Sequence, residues 1–128
     1  MGRIEIVDGD ITKEKVDVIV NAANSELLGG GGVDGAIHRA AGPGLLAECR
    51  DLRASTLPEG LLPGDAIATG AYDLKKVKWI VHTVGPNRHA GQDDPDILRR
   101  CFANSLSLAR GLSARSIAFP AIGAGVYG

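Results

Sequence analysis

A carboxylate and an imidazole four positions apart, placed directly after four consecutive glycines, are the residues of this chain best suited to acid–base chemistry. The glycines are residues 29–32, and Asp34 and His38 follow them. Side chains four apart on a helix lie on one face, so the two can reach the same cavity. The alternative is that Asp34 only satisfies the helix dipole and that His38 packs beside it. The glycine run favours the functional interpretation.

The glycine run is itself suited to binding an anion. Glycine adopts positive φ angles and leaves backbone N–H groups unobstructed. A loop of this kind that leads into a helix presents a concave set of N–H donors, typically to a phosphate. Asn24 and Asp34 bracket the loop with groups that can bond sugar hydroxyls. The stretch therefore predicts a site for a nucleotide diphosphate sugar.

A second glycine-rich segment, residues 123–128, follows the last predicted strand. Its sequence Gly-Ala-Gly-Val-Tyr-Gly matches the G-x-G-x-x-G pattern of Rossmann folds. That pattern usually follows the first strand of a domain, and its acidic partner about twenty residues later would fall beyond residue 128. A phosphate-binding loop of another fold is therefore favoured over a Rossmann site and over a plain turn.

Composition indicates one globular domain without a basic or membrane-seeking surface. The chain has 128 residues, of which 45% are hydrophobic and 23% charged, with a formal net charge of −1. No large basic field is available for nucleic acid, although backbone amides can still bind a phosphate. No apolar run approaches the length of a membrane span, and no signal peptide is evident. We expect a cytoplasmic protein.

The histidines and cysteines of the sequence do not have the spacing of metal ligands. The three histidines, His38, His82 and His89, are scattered, and the two cysteines, Cys49 and Cys101, form no C-x-x-C pair. Reduced, buried thiols are expected rather than a disulfide. His82 lies in an apolar strand, which is typical of a core histidine. A G-x-S-x-G nucleophile is also absent, so we predict neither a metal nor a cofactor.

The elements that must position these groups alternate between strand and helix. Strands are predicted at residues 4–7, 16–20, 65–72, 79–84 and 116–119, and helices at residues 33–41, 45–53 and 95–109. This order predicts a layered α/β fold with a largely parallel sheet. In such sheets ligands bind beyond the carboxyl ends of the strands, where both glycine segments lie. Because a phosphate loop should lead into a helix, we expect C-terminal elements to be missing after residue 128.

With these residues in view, the chain resembles a macrodomain, specifically the MacroD-like branch of ADP-ribose hydrolases. The segments that carry the resemblance are residues 9–12, 18–24, 28–42, 82–86 and 123–128. The glycine run with Asp34 and His38 is the most specific of them, since binding-only macrodomains often lack it. The resemblance implies a single macrodomain over residues 1–128. It also implies a three-layer α/β/α fold with a central mixed, largely parallel sheet.

The resemblance also implies roles for individual residues. Asp10 would bind the adenine amino group, although from its place in the sequence it equally suits a turn cap. Ile11 would assist through its backbone. The catalytic carboxylate would be Asp34, with His38 as its helper and Asn24 holding the distal ribose. The remaining ligand contacts would be main-chain amides clasping the diphosphate, and an aromatic ring near the distal ribose: Gly31, Gly32, Val33, Gly123, Ala124, Gly125 and Val126 for the amides, and Tyr127 for the ring.

The implied reaction is metal-independent hydrolysis of ADP-ribosyl esters. The substrates would be proteins modified on Asp or Glu, or O-acetyl-ADP-ribose, and Asp34 would orient or deprotonate a water. A rival from another class is a non-catalytic ADP-ribose reader with the same pocket. A Rossmann-type NAD oxidoreductase is the less favoured alternative. Membranes and nucleic acids are not expected among the partners.

Overall fold

The computed structural model describes residues 2–86, 91 and 94–121. Over these residues the chain forms five strands and three α-helices, with a short 3-10 turn after the first strand. The strands are β1 (Arg3–Val7), β2 (Val16–Ala23), β3 (Ala66–Gly70), β4 (Val77–Val84) and β5 (Ser116–Pro120), the helices are α1 (Gly32–Ala41), α2 (Pro43–Ala54) and α3 (Pro95–Gly111), and the 3-10 turn is Ile11–Lys13.

The strands form one mixed sheet in the order β1-β5-β2-β4-β3. Only β3 runs antiparallel to its neighbour in this sheet; the other pairs are parallel. The carboxyl ends of four strands therefore lie along one edge of the sheet. The loop between β2 and α1 leaves from that edge, as the sequence predicts.

Two hydrophobic cores lie on opposite faces of the sheet. One is shared with α1 and α2 and contains Ile19, Ile37 and Leu45. The other is shared with α3 and contains Val20 and Phe119. Because successive side chains of a strand point to opposite faces, the apolar run of β2 supplies both cores. The predicted three-layer α/β/α arrangement is confirmed.

Glycine, proline and aspartate residues mark several of the helix ends. Gly42, with a φ of 84°, ends α1, and Pro43 occupies the first turn of α2. Before α3, the Asp94 side chain accepts a hydrogen bond from the backbone N–H of Asp96. Pro95 then lies at the first helical position, where its missing N–H has no cost. The first residue of α1, Gly32, follows a cap without side-chain hydrogen bonds at Gly31.

Several element boundaries differ from the sequence prediction. Strand β2 continues to Ala23 instead of ending at Val20, because Asn21 pairs in register with His82 of β4 and its amide finds side-chain partners. Strand β3 ends at Gly70, since Tyr72 has a positive φ of 52° that a strand cannot contain. Helix α2 begins at Pro43 instead of residue 45, and strand β4 begins at Val77 instead of residue 79.

The cysteine prediction is confirmed. Cys49 and Cys101 are both free and buried. They belong to the cores on opposite faces of the sheet, so the sheet separates the two thiols.

Helix α1 lies so close to the glycine loop that one helical position must be glycine. A Cβ on Gly35 would lie 2.3 Å from the carbonyl oxygen of Gly30. We therefore expect Gly35→Ala to lower the free energy of unfolding by about 2 kcal/mol, as overpacking in a core does. Chemical denaturation measures this, with Gly111→Ala in α3 as the control because a Cβ there meets nothing within 4 Å. Equal stability of the two variants would contradict the close approach.

Candidate functional site

Asn24 shapes the loop between β2 and α1. Its side-chain Oδ1 accepts hydrogen bonds from the backbone N–H groups of Glu26 (3.0 Å) and Leu27 (3.1 Å). Its Nδ2 donates to the carbonyl oxygen of Gly29 at 3.2 Å. Asn24 thus ties the start of the loop to its glycine run. The predicted contact of Asn24 with a ribose stays a prediction and would use the remaining N–H of the amide.

The loop brings the side chains of Asn24 and Asp34 together next to Gly30. A Cβ on Gly30 would lie 3.2 Å from Asn24 Nδ2 and 3.2 Å from Asp34 Oδ2. At Gly29, whose φ is 93°, a Cβ would lie 3.7 Å from the ring of His38. The structure therefore brings together the three residues predicted to be catalytic, around a stretch of bare backbone. Glycine at position 30 leaves these two side chains room, and its φ is not in the positive range.

Asp34 is a nearly buried carboxylate with one oxygen bound and one without a partner. Only 5% of the residue is exposed. Its Oδ1 accepts a hydrogen bond from Asn21 Nδ2 at 2.8 Å and lies 3.5 Å from His38 Nε2. Its Oδ2 is buried and has no hydrogen-bond partner among the described residues. An oxygen of this kind is available to bind a ligand or to accept a proton.

Burial raises the pKa of the Asp34 carboxyl above its ordinary value. The hydrogen bond from Asn21 and the neighbouring His38 act in the opposite direction, but desolvation is the larger effect. A carboxylate whose pKa is raised is a stronger base, and such groups concentrate at functional sites. The environment of Asp34 therefore suits a general base.

Asn21 is a site residue that the sequence interpretation missed. The sequence prediction places Asn21 directly after the second strand and gives it no role of its own. In the structure it is fully buried in β2, and its Nδ2 lies 2.8 Å from Asp34 Oδ1 and 3.1 Å from His82 Nδ1. The available signal was an amide side chain adjoining a strand apolar enough to be buried on both faces, since a buried amide requires hydrogen-bond partners.

His82 is confirmed as a core histidine whose ring nitrogens both have partners. It is fully buried, and its Nε2 lies 2.9 Å from Thr69 Oγ1. Asn21 Nδ2 donates to the Asp34 carboxylate and faces His82 Nδ1, so the ring proton is assigned to Nε2; the Thr69 hydroxyl then accepts it and donates to the Gly70 carbonyl oxygen at 3.1 Å. His82 Nδ1 is then the acceptor for Asn21. Burial lowers the pKa of His82 to about 3, which keeps the ring neutral at physiological pH.

The predicted adenine and phosphate residues share a second part of the site. A cleft of about 240 Å³ lies between the turn after β1 and the start of α1. Four predicted ligand residues are among those that line it: Asp10, Ile11, Gly32 and Val33. Gly31, the cap of α1, directly precedes Gly32. The structure thus brings the predicted binding residues of the first half of the chain to one end of α1.

Asp10 also caps the turn in which it lies. Its Oδ1 accepts hydrogen bonds from the backbone N–H and the hydroxyl of Thr12. These bonds lower the pKa of the exposed Asp10 carboxyl. Since only Oδ1 is used in capping, the cap and a contact from Oδ2 to a base amino group are compatible.

Some predicted residues lie outside the described part of the chain. They are His89 and the second glycine segment with Gly123, Ala124, Gly125, Val126 and Tyr127. Within residues 2–86, 91 and 94–121, no group of three or more His, Cys, Asp or Glu side chains is arranged to hold a metal ion. No helix in these ranges has the length and apolarity to cross a membrane.

Comparison with known proteins assigns the family. The Macro domain family model matches residues 20–128, and the chain belongs to this family. It is 60% identical over 125 residues to a macro domain-containing protein of Streptomyces griseus, covering 98% of this chain and 70% of that protein. It is 55% identical over 128 residues to the O-acetyl-ADP-ribose deacetylase of Escherichia coli strain K12, covering 98% of this chain and 70% of that protein.

Solved macrodomains have the same fold. The Oceanobacillus iheyensis macrodomain with ADP superposes with a TM-score of 0.88 at 50% identity, covering 98% of this chain and 66% of that one. The Trypanosoma brucei macrodomain in complex with ADP-ribose superposes with a TM-score of 0.82 at 46% identity, covering 98% and 49%. The chain therefore spans about 70% of the two curated relatives and 66% or less of these two solved structures.

Because the pKa of Asp34 is raised, we expect its ionised side chain to lower the free energy of unfolding at neutral pH. Between the unfolded carboxyl pKa of about 3.9 and the higher native one, the native state binds more protons, so the protein loses stability as the pH rises. Asp34→Asn keeps an acceptor for Asn21 without the charge. We expect this variant to have the larger free energy of unfolding at pH 7, with the difference shrinking below about pH 4.

Denaturant titrations from pH 4 to pH 8 measure this difference. Asp51→Asn, an exposed carboxylate of α2, is the control and should not reproduce the pH dependence. A difference between Asp34→Asn and the parent that stays constant across the range would contradict the prediction.

Proposed function

We propose that this chain binds ADP-ribose at the end of α1 and hydrolyses the ester of O-acetyl-ADP-ribose. The observation that carries the proposal is the Asp34 carboxylate. One oxygen is held by Asn21 and the other is buried without a described partner, beside the backbone of Gly30. Relatives named O-acetyl-ADP-ribose deacetylase in Escherichia coli and two Cronobacter species, at 53% to 56% identity, support the same reaction.

Binding of the diphosphate is supported by the start of α1. Its cap, Gly31, supplies no side-chain hydrogen bond, so the first N–H groups of the helix are available to a ligand. These groups carry the positive end of the helix dipole and favour an anion. We assign one phosphate to the amides of Gly31, Gly32 and Val33. The main-chain amides of residues 123–126 are proposed to bind the diphosphate as well, as the family resemblance implies.

The two ends of the ligand would lie on opposite sides of this phosphate site. Asp10 and Ile11 line the cleft next to Val33, which suits the adenine and its amino group. The distal ribose would lie by Asn24 and Asp34, near Gly30, with Tyr127 packed against it. An ADP-ribose molecule placed in this direction brings its ester to the Asp34 carboxylate.

The proposed chemistry is general-base hydrolysis. Asp34 Oδ2 accepts a proton from a water whose oxygen attacks the acetyl carbonyl carbon. The bond between that carbon and the ribose oxygen then breaks, and the proton passes to the departing ribose hydroxyl, so the products are acetate and ADP-ribose. His38, 3.5 Å from Asp34 Oδ1, positions the carboxylate and nearby groups. General-base action contributes about 10²- to 10⁴-fold in rate, and the step as proposed uses no metal.

The same step applies to ADP-ribose attached to a protein through an Asp or Glu side chain, because that linkage is also a ribosyl ester. Gly30, Gly31 and Leu28 of the loop are exposed. An acyl group much larger than acetyl can therefore extend from the ribose into solvent. We include esters of modified proteins among the proposed substrates on this ground.

Replacing Asp34 separates hydrolysis from binding. We expect Asp34→Ala to lower kcat for release of acetate from O-acetyl-ADP-ribose by about 10²- to 10⁴-fold. The dissociation constant for ADP-ribose should change only a few-fold, because the phosphate and adenine contacts remain. Chromatography of the products and calorimetry measure the two quantities.

Three results would be inconsistent with the proposal. Equal turnover in Asp34→Ala and the parent would remove Asp34 from the reaction. ADP-ribose binding without turnover by the parent would make the chain a reader. Binding of NAD with hydride transfer in a dehydrogenase assay would favour the Rossmann alternative instead.

A further inference from the structure

A line of buried polar side chains runs from the backbone of β3 to the Asp34 carboxylate. Its members are Thr69, His82 and Asn21, each 1% exposed or less, with Asp34 at its end. We propose that His82, held in one tautomer by Thr69, is a positioning residue that determines which Asp34 oxygen is free to accept a proton. This inference rests on the proposed hydrolysis.

The Thr69 hydroxyl determines the tautomer of His82. A hydroxyl has one proton, and the Gly70 carbonyl oxygen, 3.1 Å from Thr69 Oγ1, is placed to accept it. Thr69 Oγ1 then accepts from His82, 2.9 Å away, and a ring proton on Nε2 also agrees with the Asn21 amide, whose nitrogen faces Asp34 Oδ1 and His82 Nδ1. The other tautomer would place an N–H at Nδ1 against the Asn21 amide nitrogen at 3.1 Å, where both groups are donors.

The unprotonated Nδ1 of His82 determines how the Asn21 amide is oriented. The amide nitrogen has two protons, of which one goes to His82 Nδ1 and the other to Asp34 Oδ1. A flipped amide would turn its carbonyl oxygen toward both acceptors and lose both bonds. Asn21 Oδ1 is buried without a partner among the described residues. The Asn21 amide keeps this orientation although its own carbonyl oxygen is left without a hydrogen bond. The two hydrogen bonds that its nitrogen donates therefore determine the orientation.

The Asn21 amide in turn determines the roles of the two Asp34 oxygens. Oδ1 is occupied by Asn21, and Oδ2 is left beside Gly30, where the proposed substrate lies. Without the acceptor at His82 Nδ1, the amide would be free to rotate away from Oδ1. The carboxylate would then lose its preferred orientation toward the water.

The groups around Asp34 predict how its titration responds. Asn21 from β2 and His38 from α1 favour the charged form. Cys49 from α2 is within electrostatic reach, but its thiol pKa is raised to about 12 by burial, so it is neutral. His82 from β4 is neutral as well, because burial lowers its pKa. Weakening the Asn21 bond should therefore raise the pKa of Asp34 and shift the acid limb of kcat to higher pH.

Thr69→Val tests the first link, because it replaces the hydroxyl by a methyl group of similar size. We expect kcat for O-acetyl-ADP-ribose to fall by about tenfold or more, the scale of one hydrogen bond to a charged group. The acid limb should shift to higher pH, and the dissociation constant for ADP-ribose should stay within about twofold of the parent, since no ligand contact changes. Thr69→Ser keeps the hydroxyl and should restore kcat.

Thr83→Val is the matched control. Thr83 is fully buried in β4 next to His82, and its hydroxyl donates to the Asp65 carbonyl oxygen at 2.7 Å, outside the line. The Thr83→Val variant loses one buried hydrogen bond, as Thr69→Val does, so the two variants should destabilise the protein to a similar extent. The kcat and its acid limb should be unchanged. If both valine variants lower kcat equally without moving the acid limb, the positioning role is wrong.

Nuclear magnetic resonance of the parent tests the inference independently of turnover. Long-range ¹⁵N–¹H spectra should show His82 protonated at Nε2, and ¹³C titration should show a higher Asp34 pKa in Thr69→Val than in Thr83→Val. A proton on Nδ1, or equal Asp34 pKa values, would overturn the inference even if the enzyme is active. A parent that shows these signals but hydrolyses no ester would instead overturn the proposed function.

Discussion

The hydrogen bond from Asn21 to Asp34 joins the strand β2 to the helix α1 through the centre of the site. A buried carboxylate is costly unless it is hydrogen-bonded, so α1 must begin where Asp34 can reach this donor. That constraint places the helix start, with its free N–H groups, next to the carboxylate. The phosphate site and the catalytic group proposed here are thus two consequences of one contact, separated by only one turn of helix.

The glycines make this arrangement possible through the side chains they lack. Gly30 leaves room for the side chains of Asn24 and Asp34 beside its backbone, and Gly35 allows the helix to pack closely against the loop. Positive φ angles matter at Gly29 and Gly32. The loop therefore combines two different requirements, close approach and unusual backbone angles, which only glycine satisfies together. Gly29, Gly30 and Gly32 each meet one of these requirements, whereas Gly31, with a φ of −93° and no described atom within 4 Å of an added Cβ, meets neither.

Most of the fold could be predicted from the sequence, because apolar periodicity and capping are local. The helix after Pro95 and the buried strand before Asn21 have clear patterns, and both were found. The predicted end of β2 is wrong, because asparagine is uncommon within strands. Nothing in the local sequence shows that the amide of Asn21 is satisfied by side chains from β4 and α1. Tyr72, with its positive φ, ended β3 for a similarly nonlocal reason: its ring packs over Gly44 and its hydroxyl bonds Glu48 of α2.

The sequence by itself determined that a carboxylate and a histidine share one face of a helix behind a glycine loop, since a spacing of four fixes this within a single element. Only the tertiary structure decided that Asn21, His82 and Thr69 meet behind that carboxylate. They come from three different strands, and their meeting depends on register: Asn21 lies opposite His82, and Thr69 lies diagonally across the antiparallel pair. Register between strands is set by packing of the whole sheet, so the choice of the free oxygen on Asp34 is a property of the folded molecule.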